Sequence, residues 1–204
     1  MQTVKVKICG LTRDIDVAAA LQHGADALGF VFVPASKRCV TADVAARLCQ
    51  SVPAFVSRVG LFLDQSSEEI WQLLNQVPLS LLQFHGREDA DFCRQFKRPY
   101  IKALSLDNGT SIDKLEQAYP DAAGILVDSH QPGGLGGTGK TLDWTGIRAG
   151  KKPLILAGGL NPQNLATAIQ LVRPWAVDVS SGVELSPGIK DADAIKRFIS
   201  EAKK

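Results

Sequence analysis

The chain has 204 residues, 45% of them apolar, and its 23 basic and 21 acidic residues leave a formal charge of +2. That composition supports one sizeable core and a single domain over 1–204, and the intermixed signs exclude a basic nucleic-acid groove or a basic membrane helix, which leaves a small molecule as the expected partner. A strand-like pattern begins within a few residues of Met1 and no apolar run approaches the roughly 20 residues of a membrane span, so a cytoplasmic protein without a signal segment is expected.

Short apolar runs rich in β-formers predict strands over 4–9, 27–32, 56–63, 79–84, 99–104, 124–128, 153–157 and 175–180. Helical patterns lie between them, among others over 14–23, 43–50, 68–76 and 163–171, with a last helix over 192–202. Thr12, Thr41, Ser67 and Asn161-Pro162 stand where helix openings belong. Strand and helix alternate about every 25 residues, as βα units do. Eight such units predict an α/β fold, a closed (β/α)8 TIM barrel in one domain, and near-continuous apolar strands suit a parallel sheet covered on its outer side. An open doubly wound sheet is the competing architecture. It would gather polar residues at one switch-point crevice, whereas Cys9, His85, Asp128 and Ser180 each come late in a different strand.

Alternation along a strand puts Lys5, Lys7 and Cys9 on one face, and likewise pairs Gln83 with His85, Leu126 with Asp128, and Asp178 with Ser180. A polar ring at one mouth of the barrel follows. A lone cysteine at a strand end is by default a small buried hydrophobe, but Lys7 on the same face is expected to favour the thiolate, lower the pKa of Cys9 and make it a base or nucleophile. Asp128 is either a loop-capping carboxylate or a general acid, and the second role requires partial desolvation that keeps its proton near neutrality. Gly158-Gly159 after the seventh strand and Ser180-Ser181-Gly182 after the eighth match the phosphate-binding position of barrels. There glycine lets backbone N–H groups approach an anion, and Val183-Glu184 is expected to begin a short helix that Pro187-Gly188 breaks. Cys9, Cys39, Cys49 and Cys93 show no metal-ligand or disulfide spacing with one another or with His23, His85 and His130, so no metal is expected and the last three read as reduced thiols.

Gly134-Leu135-Gly136-Gly137-Thr138-Gly139-Lys140-Thr141 satisfies the phosphate-loop pattern of nucleotide hydrolases letter by letter. That motif works only when the loop follows a strand tightly and Lys-Thr opens a full helix onto the phosphates. Here residues 129–133 intervene, and Leu142-Asp143-Trp144 runs into Gly146 and Gly150, leaving room for at most about two helical turns. A lid or substrate-contact segment is the better expectation.

Taken together, Lys7-Ile8-Cys9-Gly10-Leu11-Thr12, Gly29-Phe30-Val31-Phe32, Gln83-Phe84-His85-Gly86, Val127-Asp128-Ser129, Ala157-Gly158-Gly159-Leu160 and Val177-Asp178-Val179-Ser180-Ser181-Gly182 closely resemble the phosphoribosylanthranilate isomerase family of tryptophan biosynthesis, over essentially the whole chain. The resemblance implies an Amadori rearrangement of N-(5-phosphoribosyl)anthranilate to 1-(2-carboxyphenylamino)-1-deoxyribulose 5-phosphate, with no cofactor. It implies Asp128 as general acid, Cys9 as general base, and Arg38 in Pro34-Ala35-Ser36-Lys37-Arg38 as the partner of the anthranilate carboxylate. Gln83 and His85, in the family's Gln-x-His-Gly motif, are assigned to substrate contact, Asp178 to a hydroxyl contact or to support, and His130 to a loop. Two other classes remain: another phosphosugar barrel isomerase, which would keep the phosphate loops with different acid–base residues, and a non-catalytic phospho-ligand-binding barrel, which needs no thiol opposite a carboxyl. Monomer and homodimer are both open.

Overall fold

A computed structural model of the chain describes residues 3–105, 111–128 and 144–204. All eight predicted strands form: β1 (Lys5–Cys9), β2 (Ala27–Val31), β3 (Ser57–Phe62), β4 (Leu81–Phe84), β5 (Tyr100–Ser105), β6 (Gly124–Asp128), β7 (Leu154–Leu156) and β8 (Ala176–Val179). They pair in parallel in chain order, and β8 closes onto β1 from Lys5↔Ala176 to Ile8↔Val179. A (β/α)8 barrel results, and closure rules out the open sheet. The surrounding helices are α1 (Asp14–Gln22), α2 (Ala42–Cys49), α3 (Ser67–Gln76), α4 (Ala90–Arg94), α5 (Ile112–Ala118), α6 (Leu165–Val172) and α7 (Ala192–Ala202). None among the described residues is long and apolar enough to cross a membrane.

Both faces of the strands are buried, which is why their sequences run almost continuously apolar. Val6, Ile8, Leu28, Phe30, Phe62, Phe84, Val127, Leu156 and Val177 belong to the layer between sheet and helices. Ile101, Ala103, Leu126, Ile155, Ala157 and Ala176 form a second cluster, the barrel's inner packing. Each large side chain contributes about 1.5–3 kcal/mol relative to exposure, and a one-residue slip would exchange the two faces, so the alternation fixes the register.

Helix openings follow local capping chemistry, with some shifts. Thr41 caps α2, and α3 opens at Ser66, one residue before the expected Ser67, through a reciprocal capping box with Glu69. Thr12 does not cap α1; Arg13 holds that position without a side-chain cap, and the Thr12 hydroxyl donates instead to the Gly188 carbonyl at 2.6 Å. The carbonyl of the Asn161 side chain accepts from the amides of Gln163 and Asn164, organising the turn that leads into α6.

The short helix expected at Val183-Glu184 is not formed. A single 3-10 turn occupies Ser181–Val183, and the chain then folds back as a hairpin of β9 (Glu184–Ser186) and β10 (Ile189–Lys190). Gly188, at φ +84, makes the turn, while Glu184 is committed to long-range ion pairs that a helix in its place would have to rearrange. The glycine-rich stretch 134–141 and His130 lie outside the described residues. Where description resumes, Trp144–Gly146 forms one 3-10 turn and 147–150 has no helix.

Candidate active site

Parallel pairing brings every strand's C-terminal end to the same mouth, so residues placed late in separate strands meet there. Cys9, Arg38, Gln83, His85, Asp128, Gly158, Gly159, Asp178, Ser180 and Ser181 line one cavity, together with an apolar wall of Val31, Val33, Leu61 and Leu63. The candidate site residues thus line one cavity, apart from Gly182, which packs against Leu160. A Cβ on Gly182 would fall 1.8 Å from the Leu160 carbonyl oxygen, so glycine is what lets the loop after β8 press against the loop after β7. Gly158 and Gly159 have φ of +81 and +67, a region that favours glycine. Among the described residues, the amides of Gly159, Ser181 and Gly182 donate to no protein acceptor.

Cys9 pairs in register with Gly29, where a Cβ would lie 2.7 Å from the Cys9 sulfur; the missing side chain makes the room the thiol occupies. Lys7, on the same face, donates to Asp178 Oδ2 at 2.8 Å, and both side chains are buried. Burial pushes the Cys9 thiol above the ordinary thiol range; Lys7 pulls it down by less, and the Asp178 carboxylate pushes it up as well. The expectation of a thiolate made by Lys7 is thus corrected. The ammonium is shared with a carboxylate from β8, and desolvation dominates. Asp178 Oδ1 and Gln83 Oε1 are buried acceptors with no protein hydrogen bond, and both residues border the cavity.

His85 Nε2 stands 4.0 Å from Asp128 Oδ2, and His85 Nδ1 stands 3.5 Å from Gln83 Nε2. Burial holds the His85 pKa below its ordinary value despite the neighbouring Asp128 carboxylate, so the imidazole is neutral near pH 7. Gln83 donating to Nδ1 would leave the proton on Nε2, directed toward Asp128.

Arg38 is not a solvated loop charge. Its Nε and Nη2 donate to the two oxygens of Glu184 at 2.8 and 2.6 Å, and its stem crosses Gly10, whose Cβ, if present, would meet Arg38 Cδ at 2.5 Å. Glu184 also accepts from Lys190 Nζ at 2.8 Å. From sequence, Glu184 is expected only to open a short helix and Lys190 carries no expectation; the available signal is a pair of opposite charges flanking Pro187-Gly188 at hairpin spacing.

The chain has counterparts among known proteins. A family model described as N-(5'phosphoribosyl)anthranilate (PRA) isomerase matches residues 6–201. The N-(5'-phosphoribosyl)anthranilate isomerase of Pseudomonas fluorescens is 52% identical over 201 residues, 98% of each chain. That of Hahella chejuensis is 49% identical over 199 residues, 97% of this chain and 93% of the relative. The crystal structure of phosphoribosyl anthranilate isomerase from Thermotoga maritima superposes with a TM-score of 0.87 at 43% identity, covering 98% of both chains. Agreement of this extent in sequence and fold, running from β1 through α7, shows that the chain belongs to the N-(5'-phosphoribosyl)anthranilate isomerase family.

Proposed function

We propose that the protein converts N-(5-phosphoribosyl)anthranilate, an aminoaldose, to 1-(2-carboxyphenylamino)-1-deoxyribulose 5-phosphate by an Amadori rearrangement, with Asp128 as general acid and Cys9 as general base. The observation that carries the reading is that a thiol and a carboxyl from separate strands line one cavity, together with an apolar wall and two glycine-bearing loops, in a chain of this family. Asp128 protonates the furanose ring oxygen as the C1–O bond breaks, and the nitrogen lone pair forms an iminium. The iminium acidifies the C2 proton, which Cys9 removes, and the enolamine takes a proton at C1 as it becomes the ketone. Protons are moved and returned; nothing is oxidised overall.

The base form of Cys9 is the thiolate, which burial of the thiol opposes and a neighbouring cation favours. The iminium brings a positive charge next to Cys9 at the step that needs the thiolate, and an adjacent cation favours the charged base. The benzene ring of the anthranilate moiety is assigned to Val31, Val33, Leu61 and Leu63, with its carboxylate toward Arg38. The phosphate is assigned to the loops Gly158-Gly159 and Ser180-Ser181-Gly182, whose amides supply N–H donors. Gln83 Oε1 and Asp178 Oδ1 are the acceptors left for sugar hydroxyls, and His85 supports Asp128 or contacts the sugar.

The test is conversion of freshly prepared phosphoribosylanthranilate by the purified protein, without metal or nucleotide, followed by loss of substrate fluorescence and identification of the ketone. Turnover under those conditions is expected. A requirement for added metal or nucleotide, or no turnover by a folded protein, would remove the reading.

A further inference from the structure

Three charges, two of them near Cys9, converge on the β9–β10 hairpin. Glu184 Oε1 accepts from Arg38 Nε at 2.8 Å, from Lys190 Nζ at 2.8 Å and from the Gly188 amide at 3.2 Å, while Oε2 takes Arg38 Nη2 at 2.6 Å. Lys190 Nζ also donates to the Ser180 carbonyl at 3.0 Å and lies 3.4 Å from its hydroxyl. The Lys190 and Glu184 side chains are 0% and 4% exposed. Pairs buried to this degree add little stability over an apolar replacement, so stability alone does not explain why they sit beneath a surface hairpin.

Their geometry suggests another role. A guanidinium has five N–H donors in one plane; Glu184 takes the Nε–Nη2 edge and leaves the Nη1–Nη2 edge for a second carboxylate. Lys190 balances the Glu184 charge, so Arg38 keeps a net attraction for an anion. The same ammonium grips the Ser180 carbonyl, where the loop 180–182 begins. One buried cation therefore touches the supports of both ends of the cavity. Gly10 completes the frame, because its absent Cβ would lie 2.5 Å from Arg38 Cδ and 3.1 Å from Ser180 Oγ.

We propose that Glu184 and Lys190 are positioning residues that hold the Arg38 guanidinium at a set distance from the Ser180–Gly182 loop, so that the cavity selects substrates with a carboxylate at one end and a phosphate at the other. This rests on the reading of Arg38 as the carboxylate partner given above.

The experiment compares steady-state kinetics of Arg38→Ala, Glu184→Gln and the double variant Glu184→Gln/Lys190→Met, with anthranilate and inorganic phosphate as separate inhibitors. Glu184→Gln is expected to raise KM about tenfold, the weight of a charged hydrogen bond, with kcat falling less than about threefold. It weakens inhibition by anthranilate and leaves inhibition by phosphate in place. The double variant removes the uncompensated ammonium, keeps the fold, retains the raised KM and weakens phosphate as well. Unchanged KM and anthranilate inhibition in both Glu184 variants overturn the proposal, as does a loss of kcat and melting temperature with KM unmoved. An unchanged KM in Arg38→Ala overturns the anchor itself, and the proposal with it.

Discussion

Cys9 shows how a single position acquires a charge state from residues far from it in the chain. Gly29 opens the space, Lys7 supplies a nearby ammonium, and Asp178, 171 residues from Lys7, takes that ammonium's hydrogen bond. Cys9→Ala and Asp128→Asn are each expected to lower turnover by at least about a hundredfold, as loss of a general base or acid commonly does, with circular dichroism unchanged. A base works when deprotonated, so a thiol pushed above its ordinary value moves the rising limb of kcat/KM to higher pH than the usual thiol near about 8.5. The limb for kcat, which reports the substrate-bound state, lies lower because the iminium favours the thiolate. Near-normal turnover in both variants, or a kcat/KM limb that survives Cys9→Ala, would move the base elsewhere. The location of Cys9 and Asp128 was legible because strand period and strand ends are local properties. The charge state was not, since it depends first on burial inside the closed barrel and then on a carboxylate that closure brings beside Lys7.

At the scale of elements, the loops after β3 and β4 are held by a buried pair that sequence patterning did not show. Lys102, on the outer face of β5 and 0% exposed, donates to Glu88 at 2.8 Å and to the Gly86 carbonyl at 2.6 Å. The Glu88 carboxylate accepts from the amides of Asp64 and Gly86, both at 2.9 Å. The segment that follows His85 is thereby tied to β5 and to the end of β3. Glu88→Ala leaves the Lys102 ammonium buried without its counter-charge and is expected to cost about 3–5 kcal/mol in urea unfolding, with the slope unchanged. Adding Lys102→Met should recover most of that loss. A Glu88→Ala protein as stable as the parent would mean that water or another carboxylate replaces the partner. Lys102 reads in sequence as one charge in an otherwise apolar strand, and nothing local marks Glu88 as its partner. The hairpin β9–β10 escaped for the same reason: local propensity allowed a helix, and the ion pairs of Glu184 reach back to β2's loop.

For the molecule as a whole, the fold was legible because eight strand-like runs recur about every 25 residues, and closure follows from strand count rather than from any one residue. The seam between β7 and β8 is the shortest in the barrel, with only Ile155↔Ala176 and Leu156↔Val177 in register. The two proposed phosphate loops leave these same strands and meet where Gly182 packs against Leu160. An anion bridging their amides would fasten the barrel at its shortest seam, and it would bind the folded chain but not the unfolded one. At a hundred times its dissociation constant such a ligand adds about 2.7 kcal/mol. For a chain of this size each kcal/mol is worth roughly 2–4 °C, so inorganic phosphate is expected to raise the melting temperature by about 5–10 °C in differential scanning fluorimetry. Sulfate should act similarly, and Gly182→Ala, which forces the two loops apart, should abolish the response. Magnesium ATP at the same concentration should give no larger shift, since Trp144–Gly146 forms a single 3-10 turn rather than a phosphate-binding helix. A melting temperature indifferent to phosphate would remove the anion site from these loops. A larger, magnesium-dependent shift with ATP that Lys140→Ala eliminates would return the glycine-rich segment to nucleotide binding.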